Sequence, residues 1–130
     1  MSTYDNASLL KFAKALNIQA ITASSTVAGN SIDTKGFESL TFLYEVGART
    51  DGTFTVLIQD SNDDLAFADV VDTFLIGTES SINTANTIKK IGYVGKKRYV
   101  KLSFVASAVT SGATVSATAI LSHSATNPVA

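Results

Sequence analysis

Cysteine and tryptophan are absent from this chain, and proline, histidine and methionine occur once each. Without cysteine there is no disulfide, no thiolate nucleophile and no cysteine-bearing zinc site, and no compartment can be inferred from redox chemistry. Charged residues are scarce, at 16% of the chain. The one histidine, His123, sits in a Ser/Thr/Ala tail with no apolar run to bury it. A catalytic triad would need its fixed approach to a serine and an acid, so it reads as a solvated tail residue. Glu38 and Glu45 fall on opposite parities of one strand region, which is no arrangement for paired carboxylates. Long apolar runs are missing too. The most apolar N-terminal run, Leu9–Leu16, is interrupted by Lys11 and Lys14 and is far shorter than the ~20 residues that span a bilayer. These absences predict a protein without catalysis, cofactor, metal or membrane contact, made soluble in the cytoplasm.

What is present favours sheet. Apolar residues make up 45% of 130 positions, Ala, Ser, Thr, Val and Gly dominate, and small and β-branched residues suit a pleated surface. The length fits one domain able to bury roughly two-thirds of its unfolded surface. The stretch Ile88–Phe104, IKKIGYVGKKRYVKLSF, organises the rest. Val100, Leu102 and Phe104 share one parity and Tyr99, Lys101 and Ser103 the other, as in a strand with one buried face. Lys89, Lys90, Lys96, Lys97, Arg98 and Lys101 are six of the ten basic residues, whereas residues 1–88 carry all eleven acids and the other four. Such a split gives either two complementary faces or strands that neutralise each other across one sheet.

Taken in order, residues 1–17 form an N-terminal arm. Leu9, Phe12, Ala13 and Leu16 recur at helical spacing behind a Ser8 cap, predicting a short amphipathic helix that docks on its own sandwich or on another subunit. Residues 18–122 form the β domain: a strand, a Gly29-Asn30 turn and a short edge strand up to Ile32, then an Asp33–Gly36 turn with Gly36 free to take positive φ. Phe37–Val46 places Leu40, Phe42, Tyr44 and Val46 on one side, Thr53–Gln59 does the same with Phe54, Val56 and Ile58, and the Asp51-Gly52 signal joins them as an antiparallel hairpin. One or two short strands lie within Phe67–Ile76. Residues 88–104 supply two strands around a basic hairpin at Gly95-Lys96-Lys97, Ala113–Leu121 is the last strand, and 123–130 is a tail. About eight short strands with little helix predict a jelly-roll-like antiparallel β-sandwich.

Three ligand classes have partial signals. Asp60, Asn62 and Asp64 open like a calcium loop, but Leu65 replaces its glycine and Val71 its bidentate acid. Gly92-Tyr93-Val94-Gly95 imitates the GXXG clamp of a KH domain, yet that clamp joins helices, strand residues surround this one, and the chain is slightly acidic, which argues against nucleic acid. Carbohydrate is the strongest rival, since jelly rolls often serve as lectin-like modules. Tyr93 and Tyr99 are the aromatics available for it.

Asp33–Phe42, Thr50–Phe54, Leu75–Glu79 and Ile91–Leu102, in that order, resemble small virion proteins of tailed bacteriophages, similar to capsid decoration or cement proteins. The likeness covers about residues 20–122. It implies a jelly-roll-like sandwich, no enzyme activity, a symmetric homo-dimer or homo-trimer, and attachment of a protein made in the host cytoplasm to the major capsid protein on the outside of the head. A tail or head-fibre component fits the same surface polarity. The resemblance transfers no residue-level site. From their charge and exposure, Lys96, Lys97, Arg98 and Lys101 are expected at an acidic capsid or subunit surface, with the arm residues Leu9, Phe12 and Leu16 as second contacts.

Overall fold

The computed structural model describes residues 10–124. Among the described residues, eleven strands lie in two antiparallel sheets: β1 (Lys11–Ile21), β2 (Thr26–Val27), β3 (Ile32–Asp33), β4 (Phe37–Arg49), β5 (Thr53–Ser61), β6 (Ala68–Asp69), β7 (Leu75–Ile76), β8 (Ser81–Ile82), β9 (Thr87–Tyr93), β10 (Tyr99–Ser107) and β11 (Ala113–Ser124). One sheet runs β1-β11-β4-β9-β7. The other runs β2-β10-β5-β6, with β3 also on β10 and β8 also on β5. Setting aside the two-residue edge strand β7 and grouping β2 with β3 and β6 with β8 leaves eight strand positions, ordered 1-8-3-6 in one sheet and 2-7-4-5 in the other. That is the order of a jelly roll. The expected fold class holds.

The core lies between the sheets and follows the parities in the sequence. Leu40, Phe42, Tyr44 and Val46 of β4 face Phe54, Val56 and Ile58 of β5 and Val100, Leu102 and Phe104 of β10, all at most 3% exposed. Tyr44 and Phe104 meet edge to face across the gap, with centroids 6.2 Å apart. The Tyr44 hydroxyl, which would be costly to bury unpaired, lies 3.2 Å from Ser80 Oγ. β11 contributes the small residues Ala113, Val115, Ala117 and Ala119, so its neighbours can close over it.

Four local expectations are corrected. β4 and β5 do not form a hairpin: β4 pairs with β11 and β9, β5 with β10, β6 and β8. The Asp51-Gly52 turn carries the chain from one sheet to the other. The basic stretch does the same, since β9 and β10 lie in different sheets. The helix expected over Leu9–Leu16 is not formed from Lys11 onward. β1 pairs with β11 across the expected arm boundary at 17, with register shifts between Lys14 and Leu16 and between Leu16 and Gln19. Each shift is a bulge that breaks strict alternation, and the three-residue gap from Ala13 to Leu16 is a product of the first. β11 also continues to Ser124, two residues past the expected end of the domain at 122.

The sandwich is closed by close backbone approaches. Asn30 donates its backbone N–H to the Ala15 carbonyl at 2.7 Å and its side-chain amide to the Lys14 carbonyl at 3.0 Å, bridging β1 to the loop that hangs on β10. A Cβ at Gly29 would run into the Leu102 and Ala15 carbonyl oxygens. At the other end Gly112, at φ +87°, lies against the Ile21 carbonyl, while Gly36 at φ +90° has open space around it. Gly36→Ala should therefore cost only the left-handed strain of about 1–2 kcal/mol. Gly112→Ala adds a backbone collision and should cost about 3 kcal/mol or more. Urea unfolding of both variants measures the difference; equal losses would remove the close packing at Ile21.

Candidate binding surface at the basic end

The end of the sandwich where β9 passes to β10 gathers the basic loop, the Asp33–Gly36 turn and the start of β4. Tyr93 is the last residue of β9 and faces inward, 6% exposed. Its hydroxyl donates to Asp60 Oδ2 of β5 at 2.8 Å and accepts the backbone N–H of Lys97 at 3.1 Å. A Cβ at Gly95 would strike the Tyr93 ring, so glycine lets the loop lie flat on it. Burial, with the Asp60 carboxylate beside it, holds the phenol well above its ordinary range.

Arg98 closes the loop on the far side. Its guanidinium grips Asp33 through Nε and Nη2, both at 2.8 Å, in the bidentate geometry that makes such pairs strong and directional. The Arg98 carbonyl accepts both the Thr34 N–H at 2.9 Å and the Thr34 hydroxyl at 2.7 Å. Lys96 and Lys97 are left exposed on this fixed backbone, and among the described residues neither makes an ion pair. Between them and β4 runs a cleft of about 580 Å³ that Thr34, Phe37, Glu38 and Tyr93 help to line.

The structure divides the expected site residues. Lys96, Lys97 and Arg98 come together, with Arg98 acting as a clasp more than as a free cation. Lys101 stands on the outer face of β10, half-buried, its ammonium 4.4 Å from the centre of the Phe67 ring. Phe12 is 61% exposed on β1, whereas Leu16 is 2% exposed within the core, so the two do not share a face. Leu9 lies outside the described residues. Asp33, Thr34, Asp60 and Tyr93 were not expected here, because their partners lie 33 to 65 residues away in sequence. The tyrosines considered for sugar stacking are occupied: Tyr93 is buried, and the Arg98 guanidinium lies 4.9 Å from the Tyr99 ring centre. The acidic loop is built around Asp63 rather than the calcium-like triplet. Its carboxylate accepts from the Ser61 hydroxyl at 2.7 Å and from the N–H groups of Leu65 and Ala66.

Chemically, this end presents fixed cations over a shallow cleft. Fold and site together define a jelly-roll sandwich with a preorganised cationic end. No family model and no curated protein sequence matches the chain. Among solved structures, the crystal structure of SPBc2 prophage-derived protein YomS is similar over 86% of this chain and 91% of that one, at 18% identity and a TM-score of 0.47.

Three carboxylates in these turns are held low. Arg98 lowers Asp33 to about 2, the Ser61 hydroxyl and two backbone N–H groups lower Asp63 to about 2, and the N–H groups of Thr110, Gly112 and Ser111 lower Asp51 at the opposite end. A carboxylate lowered on folding contributes stability above its ordinary value of 3.8, and that contribution is lost as pH falls through the folded value. Glu79 opposes this, since burial pushes it up. Thermal midpoints should therefore fall between about pH 4 and pH 2, and Asp63→Asn should flatten that fall. An unchanged slope in the variant would remove Asp63 from the account.

Proposed function

We propose that this protein is a non-enzymatic structural component of a phage virion that binds the outside of the head and reinforces the major capsid lattice. The observation that carries the reading is the basic loop. Lys96 and Lys97 project from a backbone fixed by Tyr93, Thr34 and the Arg98–Asp33 pair, which lowers the ordering cost of meeting an acidic surface. The resemblance of the sequence to decoration proteins supports the same reading, and its blocks at 33–42, 75–79 and 91–102 converge here: Asp33 pairs with Arg98, and Ile76 pairs with Gly92 in the sheet. An exposed cationic loop acts mainly through orientation and association rate, with modest affinity per contact. Repetition over a symmetric lattice then supplies retention.

Expanded, undecorated heads of the cognate phage provide the test, by co-sedimentation with purified protein. Saturable binding at a stoichiometry set by icosahedral symmetry is expected, weakening as salt is raised because exposed charges are screened. Lys96→Glu with Lys97→Glu should lower affinity by about tenfold or more without changing the fold. Unchanged occupancy by this variant would take the basic loop out of the interface. No binding by the unaltered protein would remove the decoration reading.

A further inference from the structure

The outer face of the five-stranded sheet carries a feature that the basic end does not use. Pairing across the strands sets Phe12, Ile120, Thr41, Gly92 and Ile76 in one row. At one end of the row Phe12 stands out, 61% exposed. Toward the other end is a hollow of about 250 Å³ beside Gly92, walled by Thr41, Ile76, Lys90 and Val94. Gly92 lets Ile76 pack closely against this wall, since a Cβ there would lie 3.2 Å from Ile76 Cβ. Knob and hollow flank the β11–β4 pair, Phe12 one strand out on β1 and Gly92 one strand out on β9.

We infer that this face pairs with the same face of a second copy, about a two-fold axis that runs along the strands between β11 and β4, each Phe12 entering the Gly92 hollow of the other copy. Such an axis exchanges β1 with β9 and β11 with β4 while keeping each row in place, the self-complementary arrangement of a two-fold interface. It also sets Ile18, 72% exposed in the second β1 bulge, over Ile88, 60% exposed on β9. The centre, where Thr118 would meet Leu43, is uncharged, while in the next row Ser116 would meet Glu45, which is exposed on β4. Four long strands about 4.8 Å apart, each with about nine residues rising about 3.3 Å, span roughly 600 Å², approaching the ~800 Å² per partner of a standard interface. The axis brings the two Glu45 carboxylates near each other, and a second like-charge approach accompanies this register. Lys14 pairs through Thr118 and Leu43 to Lys90 in a single row, so the axis brings Lys14 of each copy near Lys90 of the other.

The approach of Lys14 to Lys90 makes the register testable without a capsid, so its outcome is separate from that of head binding. Sedimentation equilibrium of the full chain should give a dimer. Phe12→Ser, at an exposed position, should raise the dissociation constant by about tenfold or more while circular dichroism and the thermal midpoint of the dilute protein stay unchanged. Lys14→Glu should tighten the dimer by forming an ion pair with Lys90 across the axis. A monomer at about 0.1 mM, well above the range of specific interfaces of this size, would overturn the inference. So would a dimer indifferent to Phe12→Ser, or one that Lys14→Glu weakens.

Discussion

The hydroxyl of Tyr93 is the point at which both sheets and the basic loop meet. Its ring belongs to β9, its acceptor Asp60 to β5, and the N–H it accepts to Lys97 in the crossing between them. A phenol buried without partners would destabilise the end of the sandwich. With both partners present it fixes how far apart the sheets stand and where the loop lies. The cationic end is therefore a property of the core: Lys96 and Lys97 owe their position to a residue that is itself buried. The Asp33 clasp adds the second anchor, and the two hold a short loop on both flanks.

The fold was legible where a strand is long and flanked by core on one side. β4, β5 and β10 show the alternation, and their even-numbered residues from Leu40 to Val46, Phe54 to Ile58 and Val100 to Phe104 are buried, with Ser103 of β10, expected on the outer parity, buried as well. The connections were not legible. An Asp-Gly pair reports a backbone that needs positive φ, which Gly52 has at +100°, but says nothing about which sheet receives the next strand. In a jelly roll most consecutive strands change sheets, so a local hairpin rule fails at the places where the global pattern succeeds. β1 was obscured for a different reason. Two bulges change its parity within eight residues, and an apolar spacing broken that way mimics a helical one.

The site was legible as charge and illegible as geometry. Six cations in thirteen residues marked the stretch, and its exposed loop carries two of them free. Nothing in the sequence distinguishes Arg98, held by a carboxylate 65 positions away, from Lys97 beside it. Nor does the period-two pattern tell that Tyr93 points in while Val94, 52% exposed, starts the crossing. Both depend on contacts between distant segments.

The two proposed surfaces lie on different parts of the sandwich, one at the end of the strands and one on a sheet face, and the proposed axis relates them. A two-fold axis along the strands preserves strand direction, so the paired copies would carry their basic ends on the same side. An axis across the strands would point them apart. With both ends toward one surface, the second contact forms at an effective concentration set by the dimer, and avidity exceeds a single contact by about 10²–10⁴-fold. A basic end that alone binds at about 1 mM, near 4 kcal/mol, would then hold at micromolar levels with no further contact. On these two proposals, weak, screened charges would be sufficient for a lattice because the sheet face behind them would fix their number and direction.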